Sequence, residues 1–197
     1  MRKINDRIYL GIASGAIGFI AQNLIDILSS KMKISERTYW TTAAGVWVSS
    51  RRESEKWSGQ LLGALMNLGL SMVGGVSIVA ILSKYGRDKL APKGIFFGVT
   101  FGSMITGLLS GFASNKVKPK TAKSNLSYIL ANAVFGLTST LAAAKLGDDS
   151  LFDVIPQNNY LKPTNQTTEQ RTKDVEINNV QPIYSDISSD LGETPMM

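Results

Sequence analysis

The chain contains no cysteine and no histidine. Without thiols there are no disulfides and no thiolate nucleophiles; without imidazole there is no His ligand for zinc or haem and no ordinary acid–base group near neutrality. Charge is scarce in the apolar stretches. Across the four longest of them Asp26 is the one acid, and Lys145, at the end of the fourth, is the one base. A nucleophile with its base, a paired-carboxylate site and a metal cage all lack material within these stretches. No Gly-Lys-Ser/Thr phosphate loop occurs, and in Gly107-Leu108-Leu109-Ser110-Gly111 the serine stands one place too late for the G-x-S-x-G turn. The expectation is a protein that is not an enzyme and carries neither cofactor nor metal.

Charge is also divided unevenly. Residues 1–147 hold 18 Lys/Arg against 6 Asp/Glu, whereas residues 148–197 hold 3 against 9. The mean hydropathy of +0.04 therefore averages two unlike parts. In the first part the basic residues flank apolar runs and do not interleave with aromatics. That placement suits anionic lipid headgroups and gives no footprint for nucleic acid.

Apolar runs and glycines are what the chain has in quantity. Four spans stand out, at about 8–28, 59–82, 94–113 and 126–146. Each has about the 20 residues that a hydrocarbon layer of ~30 Å requires of a helix. The first follows Arg2, Lys3 and Arg7, but it is long for a signal peptide and lacks a clear A-x-A site, so it reads as a retained span. Pro92 suits the start of the third helix, and Ser124 or Asn125 can cap the fourth. The expected fold is all-α, a polytopic bundle of four transmembrane helices, followed over 148–197 by an acidic, polar tail that reads as disordered.

Small residues recur every four positions within these spans. Gly94, Gly98, Gly102, Thr106 and Ser110 form one column; Gly59, Gly63, Asn67, Ser71 and Gly75 form another. The first span groups Gly11, Ser14, Gly15, Gly18, Gln22 and Asp26 on one arc, and the fourth aligns Asn132, Gly136, Thr140 and Ala144. Spacing by four keeps such residues on one helix face, where glycine lets two backbones approach closely in a bilayer. Packing of the GxxxG type is expected at these faces. A faint repeat relates residues 10–15 to 97–102 and 68–71 to 135–138, although glycine-rich membrane helices resemble one another without duplication.

The few polar groups in the spans form a candidate path: Gln22, Asp26, Asn67 and Asn132. Asp26 has two readings. In the last turn of its span it reaches headgroup water, the favoured one; an intramembrane carboxylate also often marks an ion or proton route. Asn67 and Asn132 fall at similar depths on parallel helices and suit a hydrogen bond to each other, as helix glue more than as a binding site.

The connection between the first two spans contains Trp40, Trp47 and Trp57. Trp40, Ala43, Ala44 and Trp47 share helical spacing and precede Arg51 and Arg52, so residues of about 36–52 suit an amphipathic helix in the headgroup layer. Lysines and arginines divide almost evenly between the two sides, eight against ten. Both ends of the chain should share one side, with a weak lean to the cytoplasm.

Residues 42–48 with 57–63, Gly98-Val99-Thr100-Phe101-Gly102-Ser103 and Ser124-Asn125-Leu126-Ser127-Tyr128 resemble a group of uncharacterised bacterial four-span integral membrane proteins. The resemblance covers about residues 4–153. It implies multi-pass architecture in a bacterial cell membrane, and it carries no catalytic or binding residue with it. Function on this reading is association through helix faces, with a second copy or a membrane partner. The alternative is a small permease or channel for an ion or small solute, lined by the four polar residues. A lipid-surface role for Trp40, Trp47, Arg51 and Arg52 is a third.

Overall fold

A computed structural model describes residues 3–112, 114–117 and 121–152. The expected tail from residue 153 onward, with its Asn165-Gln166-Thr167 sequon, lies outside the described residues, as does Ala113 at the end of the third expected span. Four long helices dominate: α1 (Arg7–Lys31), α4 (Trp57–Tyr85), α5 (Leu90–Gly111) and α6 (Ala122–Leu146). All four are long and apolar enough to cross a membrane, which is consistent with a multi-pass membrane protein. Between α1 and α4 lie two short helices, α2 (Tyr39–Ala44) and α3 (Arg51–Glu55).

Local chemistry sets the ends. Asp6 accepts the Tyr9 amide at 2.7 Å and starts α1. Thr121 caps α6, accepting from the Ser124 amide, so the helix begins ahead of the expected caps Ser124 and Asn125. Pro92 falls in the first turn of α5, where its missing N–H has no helical partner to lose. Lys93 Nζ donates to the carbonyls of Tyr85 and Gly86 at 2.9 and 3.1 Å and to Asp88 at 2.7 Å, which ties the start of α5 to the carbonyl end of α4.

Many small and polar residues are buried in the bundle, and many large apolar ones face outward. The buried face of α1 consists of Leu10, Gly11, Ser14, Gly15, Gly18, Gln22, Asn23, Asp26 and Ser29. Its exposed face carries Ile8, Ile20, Leu24 and Leu28, while Phe96, Met104 and Leu108 face outward on α5 and Leu126, Leu130 and Leu141 on α6. Lipid is as apolar as leucine, so nothing drives these side chains inward, and close backbone approach decides which faces meet. Helix α1 packs on both α4 and α6, and α5 lies almost entirely against α6.

Glycines mark the crossings. A Cβ added at Gly15 would lie 2.9 Å from the Met72 Cα, and one at Gly75 would lie 2.7 Å from the Gly15 Cα. On the other side, a Cβ at Gly136 would lie 2.6 Å from the Gly98 Cα. Gly11, Gly94 and Gly102 are equally tight, and Gly18 fits against Phe135 and Ser139. Gly59 and Gly63 on α4 meet the connection instead of a long helix: their added Cβ atoms would lie 2.7 Å from the Ser54 Cα and 2.7 Å from the Trp40 carbonyl carbon.

The single surface helix expected over about 36–52 is replaced by α2, a turn and α3. Helix α2 stops at Gly45, whose carbonyl accepts the Lys116 amide at 3.0 Å, and a Cβ there would lie 2.5 Å from the Asn115 Oδ1. Thr41, Thr42, Ala43 and Ala44 are all buried. The segment folds back into the end of the bundle because its backbone and hydroxyl groups find partners there.

The opposite end is closed by the chain's two flanks. Ile4 and Gly147 form a parallel bridge, with the Ile4 amide donating to Leu146 O and the Asp148 amide to Ile4 O, both at 2.9 Å. Residues 149–151 form one 3-10 turn, and Leu151 and Phe152 are buried with Leu10, Ile78, Val79, Leu82, Phe135 and Ala143. Packing therefore runs through residue 152, past the boundary expected at 147, because two apolar side chains follow the polar Asp148-Asp149-Ser150.

Candidate functional site

Polar residues of α1, α4 and α6 converge midway through the bundle. Gln22 Nε2 donates to Asn132 Oδ1 at 3.0 Å, and Asn132 Nδ2 donates to the Tyr128 carbonyl at 2.7 Å. Asn67 Nδ2 donates to Asn23 Oδ1 at 3.5 Å, and Asn23 Nδ2 to the Phe19 carbonyl at 2.6 Å. Asn67 and Asn132 do not bond to each other as expected; each pairs with a neighbour on α1, which packs on both their helices. The sequence reading also missed Asn23. It follows Gln22 directly and stands three before Asp26, so its position on the same arc was a signal.

These groups border a cavity lined by Gln22, Asn67, Ser71, Asn132, Phe101, Phe135 and Tyr39, among others. It offers about 10 Å³ to the centre of a water-sized sphere, room for about one water. Tyr39, the first residue of α2, forms part of its wall. Its ring packs edge-on against Tyr128, with centroids 5.3 Å apart, and its hydroxyl shares a 3.4 Å hydrogen bond with Thr106 of α5. Burial pushes the Tyr39 phenol up to about 12, so it stays neutral at any physiological pH.

Asp26 does not reach headgroup water. It is only 1% exposed and lies five residues, about 7.5 Å, from the end of its helix. Its Oδ2 accepts the backbone amide of Tyr39 at 2.6 Å. The carboxyl thus works beside Thr38, the N-cap whose hydroxyl accepts the Thr41 amide at 3.4 Å, to hold the first turn of α2. The second oxygen, Oδ1, is buried without a hydrogen-bond partner. No lysine or arginine forms an ion pair with it among the described residues.

Other contacts fix this plug. Tyr128 donates from its hydroxyl to the Arg37 carbonyl at 2.8 Å, and Asn115 Nδ2 donates to the carbonyls of Thr42 and Leu109 at 3.3 and 2.8 Å. Gln60 Nε2 donates to Thr41 Oγ1 and to the Ser54 carbonyl, both at 2.7 Å. Ser29 and Ser127 share a short hydroxyl contact nearby. Tyr39 and Asn115 escaped the sequence reading because both lie in connections, where polar residues carry no periodic signal.

The proposed interfacial residues separate. Trp47 and Trp57 are 63% and 79% exposed. Arg51 is exposed and pairs with Glu55 at 3.0 Å, and Arg52 is exposed on α3. Trp40 turns inward instead, with its indole nitrogen buried and unpartnered. Among the described residues no three His, Cys, Asp or Glu side chains come together as a metal site. No protein-family model, curated protein or solved structure matches this chain.

Proposed function

We propose that the protein is a small permease or channel-type conduit whose site is the polar interior of the bundle. One observation carries this reading. Residues from all four span-length helices and from α2 converge on one water-sized cavity bordered by amides, in a region where unsatisfied polar groups are expensive. The conduit would sit in a bacterial cell membrane as a multi-pass protein, as the resemblance implies, with both chain ends toward the cytoplasm. Trp47, Trp57, Arg51 and Arg52 would face headgroups at the plugged end.

The test is flux into liposomes reconstituted with the full chain, using water, protons, monovalent cations and small neutral solutes. Flux of at least one species above empty vesicles is expected, reduced when Asn67→Leu fills the cavity. Vesicles indistinguishable from empty ones for every species would sink the proposal.

Association remains a second reading, supported by a different face from the one expected. Gly11, Gly15, Gly18, Gly94, Gly98, Gly102 and Gly136 lie against other helices of the same chain, so they offer little to a partner. On α5, however, Gly107 and Gly111 have nothing within 4 Å of an added Cβ. Crosslinking in native membranes should then respond to Gly107→Leu, whereas Gly98→Leu would disturb the bundle itself. Crosslinks that ignore Gly107→Leu would remove this reading.

A further inference from the structure

We infer that Asp26 is the proton-binding group of this conduit and that the proton is the species it carries. The inference rests on the conduit reading and sharpens it. A cavity with room for about one water passes no organic solute as it stands, whereas a proton needs only a water and hydrogen-bonding groups around it. The groups that line it, Gln22, Asn67, Ser71 and Asn132, are neutral.

Asp26 does not itself line this cavity; it adjoins it, because Tyr39 both lines the cavity and donates its amide to the carboxyl. One carboxyl oxygen is thereby occupied. The other is buried and without a partner, so protonation there removes a charge from a buried site. A metal cation would require several oxygen ligands, and no second acid or metal-site cluster accompanies Asp26 among the described residues. The ionisable groups nearest to it are the phenols of Tyr39 on α2 and Tyr128 on α6. From α4 and α5 the cavity receives Asn67, Leu70, Ser71, Phe101 and Ile105, none of which titrates.

Loading and opening are coupled by the same bond. The Tyr39 amide is held by a charge-assisted hydrogen bond, which weakens when the acceptor becomes a neutral acid. The first turn of α2 then loses part of its cap, and Tyr39, which lines the cavity, is the first residue of that turn. A proton taken up at Oδ1 thus loosens the plug, and its release restores it. No other group is consumed.

The experiment uses the full chain in liposomes containing a trapped pH-sensitive dye, with the membrane potential clamped. Proton flux above empty vesicles is expected, reduced at least ten-fold by Asp26→Asn and partly retained by Asp26→Glu. Flux unchanged in Asp26→Asn overturns the inference. Water or solute flux without proton flux also overturns it, while leaving the conduit standing. Vesicles silent for every species defeat both. Should Asp26→Asn fail to give a monodisperse protein, the wild type still decides the matter. Dicyclohexylcarbodiimide, which attacks protonated carboxyls in apolar surroundings, should label Asp26 by mass spectrometry and block proton flux in parallel. Labelled protein that conducts normally, or conduction blocked with Asp26 unlabelled, rejects the assignment.

Discussion

The two ends of the bundle are built on opposite principles. At one, Leu10, Ile78, Val79, Leu82, Phe135, Ala143, Leu151 and Phe152 make an apolar core. Charge there stays at the rim, where Arg87 donates to Asp149 at 2.6 Å and lies over the Phe152 ring at 4.9 Å. Toward the other, Gln22, Tyr39, Asn67, Ser71 and Asn132 line a small cavity together with four apolar side chains, and the buried Asp26 carboxyl accepts the Tyr39 amide beside it. Apolar burial is non-directional and tolerant of small shifts, so the first end is suited to holding the chain together. Buried polar networks stabilise only when every member is paired, and Asp26 Oδ1 is not. The hydroxyls of Ser83 and Ser139 are buried and unpaired as well, but Asp26 is a buried carboxyl, the costlier liability and the pattern expected where one end anchors and the other acts.

Substitutions can break this contrast, beginning with the apolar end. Phe152→Ala removes a ring that is 2% exposed and should cost about 3–5 kcal/mol. Thermal or denaturant unfolding in detergent reads it, and a loss below about 1 kcal/mol would mean that this end does not anchor the fold.

At the polar end the expected losses are smaller and depend on pairing. Gln22→Leu strands the Asn132 amide and should cost about 1–3 kcal/mol. The double change with Asn132→Leu should recover part of this, with a coupling of roughly 0.6 kcal/mol. Strict additivity would show that the bond at 3.0 Å contributes nothing.

Asp26→Asn sharpens the comparison because stability and function should part. Asparagine keeps an oxygen for the Tyr39 amide while removing the buried charge, so stability should rise by about 1 kcal/mol as proton flux falls. A protein destabilised by that change would show that the buried charge does not cost the fold stability.

The smallest effect belongs to the rim. The Arg87 hydrogen bond holds the Asp149 carboxyl below its ordinary value of 3.8. A folded value below the unfolded one stabilises the fold at higher pH. That contribution is lost as pH falls from the unfolded value through the folded one. With the Asp149 side chain 63% exposed, solvent screening keeps it to a fraction of a kcal/mol. Asp149→Asn should flatten this acid limb in a melting series between pH 6 and pH 3, leaving the rest of the curve in place.

Much of the architecture was legible in the chain. Length and hydropathy mark four helices because a helix must satisfy its own backbone in lipid, whatever it packs against. Spacing by four groups Gly94, Gly98 and Gly102 on one face of α5, although Gly59 and Gly63 in the other column meet the connection and not a long helix. The arc of Gln22 and Asp26 was equally readable, because a periodic helix turns spacing into direction. Pairing was not. Asn67 and Asn132 share a depth, yet which neighbour each bonds depends on where α1 lies between their helices. The path of residues 36–52 was misread for a related reason. Trp40 and Trp47 satisfy a surface-helix pattern, but Gly45 and the buried Thr41 and Thr42 have partners on three other elements that no local pattern reveals.

By itself, then, the sequence determined the helices, their inward faces and the one acid carried between them, because these follow from local hydrogen bonding and the period of the helix. Tertiary structure alone decided that this acid is buried, that one of its oxygens holds the plug helix, and that the other is left unpartnered. Asp26 and Tyr39 are only 13 residues apart, but the turn that brings α2 back onto α1 is held by Tyr128 of α6 and Asn115, and distance across a packed bundle is written in no single stretch of the chain.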